Sequence, residues 1–520
     1  MSKFSDIYNI DGKPQRKVPA AAATAPPSVR RSPGRTYRIS RRNYAMGEYS
    51  RITNDFYSGN QTADQVIFST FARMRGRAQW LERNSDIVRK FLIMAKTNVI
   101  GAKGIRLQSL ASDLRNGKLI PSKFDRQLIE DAYLDASKAI NWSLDQRLSR
   151  RLSAQVALQR IIVDGECIRR RIRGADNKYG FTTQLIDPVL LDHNLNRPAE
   201  NGKNEIRMGV EIDSAGRHVA YHFLKRPAHV WGSIPTYGRD HIRIAGDEID
   251  HIFIQERPGQ TRGVTWLAPA GLRAKMLDGI ELAVSVGYRV AAAKMGFFVK
   301  NDQYVPGEDG DDYELETPQD VAPGEFWELP QGYDFRDFNP DYPNANYDDF
   351  VKTTIRQIAS GLGVSYPELG NDYKGVSYSA GQIGVQSDIA FWSDLQQFLI
   401  ETFEEPAFDD WLVMAITSGA LPLPISKLEK FRRVKWQPPR RKHIDPLKTH
   451  KAQTIALGDM SRDPYDIAAE NGADFEDVVE NFARAKALLE EHGLPIPASW
   501  GGKTNMEMWQ EEEPEEETAG

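Results

Sequence analysis

Three glycines inside one helix constrain this chain more than any other feature. The stretch "GVTWLAPAGLRAKMLDGIELAVSVGYRVAAAKM", residues 263–295, has helical spacing of its apolar positions, and Pro269 suits a first turn. About 27 residues follow, roughly 40 Å at 1.5 Å per residue. Glycine inside a helix costs about 1 kcal/mol relative to alanine. Gly271, Gly279 and Gly287, with Ala274, Ala283, Ala291 and other small residues between them, therefore imply that another backbone comes very close. An ordinary core helix is the plainer alternative.

The segment after that helix is unlike the rest of the chain. Residues 302–349 hold fifteen Asp and Glu against one basic residue, Arg336, a net charge of −14. Acids alone would predict a solvated, unstructured run. The aromatics threaded through it (Tyr304, Tyr313, Phe326, Trp327, Tyr333, Phe335) and "GEFWELPQGYDFRDF" instead predict short strands and turns in a compact acidic knob. Next come a helical pattern, "YDDFVKTTIRQIASGLG", the polar stretch "LGVSYPELGNDYKGVSYSAGQ" (Leu362–Gln382), and a second helical pattern, "QSDIAFWSDLQQFLIETF". A Gly- and Ser-rich segment between two helices is either disordered or functional.

Upstream, residues 46–255 read as an α+β unit with antiparallel strands. "QVIFSTFARMRGRAQWLERNSDIVRKFLIMAKTNVIG" predicts two helices meeting near Asn84–Ser85, with Gly101 as a C-cap. "GIRLQS" predicts a strand, and helices are expected at 123–139 and 149–163. "GECIRRRIR" and "GFTTQLIDP" flank a turn, "GVEIDSAGRHVAYHFL" turns at Ser214–Gly216, and "IDHIFI" is a buried strand. Downstream of the second helical pattern, "FDDWLVMAITSGAL" is a shorter helix, "RRVKWQPPRRKHIDPLKTHKAQ" is basic and broken by proline, and "DPLKTHKAQTIALG" and "DFEDVVENFARAKALLEEHG" are two more helices. Residues 1–45 carry ten Lys and Arg against two Asp, a basic arm. From Glu507 onward there are seven Glu and no base, an acidic tail. The single cysteine, Cys167, excludes an internal disulfide. No run of 18 apolar residues exists, so no membrane span is expected, and the N-terminus lacks the apolar core of a secretory signal.

Catalytic patterns are not found. The 362–382 stretch has no phosphate-loop spacing, and Lys374 and Ser377 lack the spacing of a Ser–Lys nucleophile pair. No HExxH or CxxC exists, and the pair His443 and His450 is interrupted by Pro446, so no metal or cofactor is expected. "IRRRIRG" reads as a solvated or phosphate-facing strand edge, and Trp142 and Trp231 read as packing residues. A metal-dependent nuclease using the acids of 302–349, and a DNA-binding scaffold using the basic arm, stand as rival functions.

The order and spacing of "FLIMAKTNVIGAKGIRLQS", "RRLSAQVALQRIIVDGECIRRR", "LIDPVLLD", "HIFIQERPGQTRGVTWLAPAG", "IRQIASGLGVSYPELGNDYKGVSYSAGQ" and "VKWQPPRRKHIDPLKTHKAQ" resemble the lambda-type family of tailed-phage portal proteins over most of 64–490. The resemblance implies a portal fold and a ring of about twelve subunits around a DNA channel at one capsid vertex. It implies a wing at 46–262, stem helices at 263–298 and 346–362, a clip at 299–345, a tunnel loop at 363–378, a returning wing helix at 379–439 and a crown at 440–495. The two ends, 1–45 and 496–520, lie outside it. On this reading Asn371, Asp372, Tyr373, Lys374, Ser377 and Tyr378 face duplex DNA without reading its sequence. Gly279, Ala283, Gly287 and Ala291 pack the stem, and Asp309, Asp311, Asp312, Glu314 and Trp327 form a docking surface. The implied partners are a terminase large subunit, head-completion or tail-adaptor proteins, and capsid or scaffold protein. The implied location is the virion, after assembly in the host cytoplasm, and the implied role is structural rather than enzymatic.

Overall fold

A computed structural model of the protein describes residues 59–115, 118–200, 202–225, 240–292, 296–300, 333–337, 347–439, 446–470 and 475–492. The chain divides after Asn60 into two units, and every described helix and strand belongs to the second, Gln61–Gly520. The basic arm and the acidic end lie outside the described residues.

The α+β expectation holds. Helix α1 (Ala63–Asn84) starts at a reciprocal cap: the Thr62 hydroxyl accepts from the Gln65 N–H, and the Gln65 side chain accepts from the Thr62 N–H. Ser85 takes an extended conformation and separates α1 from α2 (Asp86–Ala95), as the spacing predicted. Helix α2 runs on into a π turn, Lys96–Ile100, which ends at Gly101 with φ +67°. Strand β1 (Arg106–Ser109), the hairpin β2 (Ser112–Arg115) and β3 (Lys118–Pro121), and helices α3 (Lys123–Ala136), α4 (Ala139–Trp142) and α5 (Arg150–Asp164) follow.

Strands β4 (Glu166–Arg173) and β5 (Phe181–Ile186) form the first expected hairpin, and β10 (Ile249–Phe253) adds to the free edge of β4. Between them β6 (Glu205–Arg207), β7 (Val210–Ile212), β8 (His218–Leu224) and β9 (His241–Ala245) make a four-stranded antiparallel sheet in sequence order. The second half is mostly helical: α6 (Gly271–Ala292), the ribbon β11 (Gly296–Lys300) and β12 (Tyr333–Asp337), α7 (Tyr347–Leu362), α8 (Tyr366–Gly370), α9 (Tyr378–Leu399), α10 (Glu405–Thr417) and α11 (Leu428–Phe431). Strand β13 (Val434–Gln437) pairs antiparallel with β1. Then come α12 (Pro446–Gly458), α13 (Pro464–Glu470) and α14 (Phe475–Glu491). Helix α13 is a correction to the two helices expected here; Asp463 caps it by accepting from the Tyr465 N–H at 2.7 Å. Salt bridges from Lys123 to Glu480 and from Arg126 to Glu476 tie α14 to α3.

Two cores organise the unit. The larger joins α1, α2, α5, β4, the base of α6, α7 and α9 through Phe91, Ile161, Ile162, Leu277, Ile358 and Phe403. The smaller joins α3, α4, β5, α10 and β13 around Tyr133, Trp142, Phe181, Phe408, Trp411 and Trp436. Full burial of one such side chain contributes about 1.5–3 kcal/mol. Trp142 is thus a packing residue, as expected; Trp231 lies outside the described residues.

The long helix begins later than the sequence suggested. Residues 263–270 are not helical, and α6 has 22 residues. Residues 265–266 are instead tied to the Ile162 carbonyl of α5, next to a buried charge hub. Glu166 and Arg262 are both fully buried and form a two-point ion pair, with Arg262 Nε donating to Glu166 Oε2 at 2.8 Å and Nη2 donating to Oε1. Arg262 Nη1 donates to the Met208 carbonyl at 2.7 Å. His251 and the Gly263 N–H complete the shell of the carboxylate at 3.0 and 3.3 Å, and Arg75 lies 3.6 Å away. Against the opposing effect of burial, the Arg262 guanidinium holds Glu166 well below the usual carboxylate range, and burial pushes the His251 imidazole below its usual value. Backbones also meet here. A Cβ on Gly263 would lie 2.0 Å from the Gly165 carbonyl oxygen, and one on Gly165 would lie 2.4 Å from the Val264 carbonyl carbon. This close approach involves Gly165 and Gly263, not the three helix glycines from which one was inferred: a Cβ on Gly279 would meet nothing within 4 Å, and one on Gly271 would meet only the Leu81 side chain. A buried, fully engaged carboxylate has no lone pair to offer a substrate, so the hub holds the fold and aims α6.

Candidate functional site

The segment between α7 and α9 was expected to be loose over 363–378. It is half ordered. Gly363, at φ +76°, ends α7, and Val364 turns back into the larger core. Ser365 donates through its N–H and its hydroxyl to Asp388 of α9 at 2.9 and 2.5 Å. Helix α8 follows, with a proline in its first turn and Leu369 buried. It ends at Asn371 in the left-handed region, φ 50°. Asp372 accepts from the Tyr366 hydroxyl at 2.7 Å and from the Lys374 N–H at 3.1 Å, closing a small turn. Only 371–377 projects as a loop: Asn371, Tyr373, Lys374 and Ser377 are exposed and Asp372 is half-buried. Tyr378 is the first residue of α9.

The loop is also more cationic than its own sequence. Lys90 of α2 donates to Asn371 Oδ1 at 2.7 Å. The Arg356 guanidinium of α7 sits 4.9 Å from the Tyr366 ring centre. The Tyr366 hydroxyl, then the Lys374 N–H, then the charges of Lys352 and Arg356 hold the Asp372 carboxyl below its usual range. Lys90, Lys352, Arg356 and Lys374 thus lie around a loop in which sequence reading found one lysine, Lys352 being paired with Asp348 at 2.5 Å. The i, i+4 spacing of Lys352 and Arg356 was a readable signal; the approach of Lys90 from 281 residues upstream was not. Beneath the loop, burial and the neighbouring Glu368 carboxyl push Asp388 above the usual carboxylate range.

The stalk below the loop is an antiparallel pair. A Cβ on Gly361, near the end of α7, would lie 3.4 Å from Ala270 at the start of α6, while Tyr347 at the start of α7 meets Glu281 and Tyr288. The two helices bury Ala274 and Leu277 against Ile358, Ala359 and Leu362 in the larger core. Small residues at the base serve this packing, Gly271 facing Leu81 at 3.0 Å. Farther along, the outer face of α6 is uncovered. Leu272, Met276, Gly279, Ala283 and Val286 follow at four- and three-residue steps, the spacing of a helix–helix seam. Leu272 is 70% exposed, Met276 60% and Val286 48%, and a Cβ on Gly279 would meet nothing within 4 Å. Gly279 and Ala283 are therefore brought into one line, Gly287 lies half-buried beside it, and the Ala291 side chain is outside the described residues.

Strands β11 and β12 pair antiparallel beyond the stalk, Gly296 opposite Asp337 and Lys300 opposite Tyr333. Strand β11 leads into the acidic segment, and β12 lies within it. Asp309, Asp311, Asp312, Glu314 and Trp327 lie outside the described residues.

One reading is corrected. The arginines of "IRRRIRG" do not wait for phosphate: Arg169 and Arg171 pair with Asp250, Arg170 with Glu248, and Arg173 with Asp247 and Asp410. Among the described residues no group of three or more His, Cys, Asp or Glu has the arrangement of a metal site, and no helix is long and apolar enough to cross a membrane. His450 is exposed on α12, and His443 lies outside the described residues.

The family model described as "Phage portal protein, lambda family" matches residues 49–396. A probable portal protein of Halomonas phage phiHAP-1 is 28% identical over 512 residues, covering 96% of this chain and 97% of that protein. Portal protein B of Escherichia phage lambda is 21% identical over 477 residues, covering 84% and 88% respectively. Among solved structures, a chain from the neck of an empty gene transfer agent particle aligns at 12% identity with a TM-score of 0.41, over 80% of this chain and 94% of that one.

Proposed function

From the premise that the chain belongs to the lambda family of phage portal proteins and serves as the portal of a phage head, we propose that about twelve copies close into a ring whose bore passes duplex DNA. In this reading α6 and α7 form the wall of the bore, and residues 371–377 hang into it. The acidic segment between β11 and β12 forms the rim that meets the terminase large subunit and later the head-completion and tail-adaptor proteins. Helices α12 to α14 lie toward the capsid interior. The chain performs no chemistry of its own; a separate ATPase drives translocation.

The observation that carries the ring is the seam on α6. A line of Leu272, Met276, Gly279, Ala283 and Val286 open to solvent leaves a large apolar face for another copy to cover. The four cations around the loop support sequence-blind contact with phosphate, because none is placed to read a base edge.

Native mass spectrometry and negative-stain imaging test the reading. The expected result is a closed ring for the full chain and loss of ring mass in Gly279→Leu. A population that stays monomeric at every concentration, or rings unaffected by the variant, overturns it. Incubation with duplex DNA and Mg2+ or Mn2+ tests the nuclease rival; cleavage that follows the acids of 302–349 would replace the structural role.

A further inference from the structure

The outward face of α1 has no assigned use. Both carboxylates of that helix are engaged elsewhere: Asp64 accepts from the Thr261 N–H at 2.8 Å and its hydroxyl at 2.7 Å, and Glu82 pairs with Arg160. What remains outside is cationic. Arg73, Arg77 and Trp80 follow at four- and three-residue steps along one exposed line. Lys275 of α6 lies with its ammonium 4.3 Å from the Trp80 ring centre, extending the strip sideways. Arg83 and Arg89 flank the depression at the α1–α2 junction. Arg77, Arg83 and Arg89 make no ion pair among the described residues. Asp86, Asp278 and Glu281 lie near one another at the α2 end of the strip, and Arg73, like Arg77, makes no ion pair among the described residues.

We propose that this strip is the docking surface for the acidic C-terminal segment, residues 507–517, of the same chain. Charge complementarity is the first argument: the segment has seven Glu and no base. Reach is the second. The chain leaves the described residues at His492, and 14 residues, 493–506, lie between it and Glu507, a tether that spans up to about 50 Å when extended. The other acidic segment is a poorer occupant, since β11 leads into one end of it and α7 takes up the other. Docked glutamates would cover arginines spaced for phosphate and keep nucleic acid off this face. Docking of the tail does not depend on ring closure.

Zero-length carbodiimide coupling of the full-length protein tests it, because Lys275 supplies an amine within the strip. Tryptic digestion is expected to give Lys275 joined to the peptide 504–520, in a yield that falls as salt rises from about 50 to about 300 mM. Arg73→Glu with Arg77→Glu, both exposed, should leave the fold intact and lower that yield at least about fivefold. Lys275 joined only to Asp278 or Glu281, or a yield unchanged in the double variant, overturns the proposal. A labelled duplex of about 30 base pairs reads the shielding. A chain with the seven glutamates changed to Gln should bind it more tightly than wild type, and the double variant should cancel the gain. If no 504–520 crosslink forms and the double variant weakens duplex binding by the unmodified chain, the strip is a nucleic-acid surface and the tail is not its occupant. An intact crosslink with no gain on neutralising the tail keeps the docking and refutes the shielding.

Discussion

Residues 257–263, RPGQTRG, and residues 370–377, GNDYKGVS, are alike in composition: each has two glycines, polar side chains and at least one cation. Their fates are opposite. In the first, Gln260 is buried, accepting from the Glu256 and Arg257 N–H groups and donating to the Arg262 carbonyl, and Arg262 is sealed against Glu166. In the second, the cation is in water and the fixing contacts are single hydrogen bonds on the surface, Lys90 to Asn371 and Tyr366 to Asp372. Both are tied to distant parts of the chain, so contact order does not separate them. Desolvation does. A buried charge must keep its partner, whereas a solvated one has water as an alternative at nearly the same free energy. The first stretch is a joint that cannot open, and the second is a turn held lightly enough to yield.

The largest test of that contrast is Arg262→Ala. It leaves Glu166 buried without its main counter-charge, and losses of about 3–5 kcal/mol are usual for such a deletion. Urea denaturation should show a collapse in midpoint or no soluble protein; a variant of near wild-type stability would show that the hub is dispensable. Next is Gly279→Leu. Its side chain enters open solvent in the single chain, so the subunit's melting temperature should stay within about 1–2 °C of wild type while ring mass is lost. A fall in subunit stability would mean that the outer face of α6 is already covered within the chain.

Asp388→Asn sharpens the comparison, because Asp388 is the one carboxylate that anchors the base of the loop. Its pKa is raised on folding, so folding favours the protonated form. That contribution is complete below the ordinary carboxylate value and is lost as pH rises through the raised value. Asparagine cannot ionise. Melting temperatures at pH 4, 6 and 8 should show the variant gaining on wild type as pH rises; a constant difference would place the pair outside the titration. The smallest expected effect on folding is that of Lys374→Ala, which should leave both stability and ring mass unchanged. Its effect belongs to DNA: proheads carrying it should differ from wild type in packaged length or retention. Deleting 371–377 should be harsher, with rings formed and full heads scarce. Normal packaging in the deletion would remove the loop from translocation, and loss of the ring would make it structural.

Much of the fold was legible in sequence. The break at Ser85, the strands around "GADNKYG" and the return of "IDHIFI" follow from periodicity and turn chemistry acting over a few residues. The buried hub was hidden because the Arg262–Glu166 contact spans 96 residues. Strand β13 was hidden because "VKWQPP" reads as a proline break, while its partner, β1, lies more than 300 residues earlier. For the site, Asn371, Tyr373, Lys374 and Ser377 lie exposed in the loop and Tyr378 opens α9, whereas the cations around them were missed because most come from other elements. The seam on α6 was half seen: small residues pointed to close approach, but only the fold separates those used inside the chain from those left open.

The pairing of Leu107 with Trp436 bears on biosynthesis. The smaller core takes its first pieces from residues near 105 and its last from Trp436. At 5–20 residues per second, roughly 20–70 s of translation separate the two. A nascent chain therefore carries an open half-core until nearly the whole subunit has left the ribosome. Prematurely terminated chains cannot complete that core, so a truncated subunit is marked by an exposed aromatic half-core wherever its synthesis stopped before Trp436.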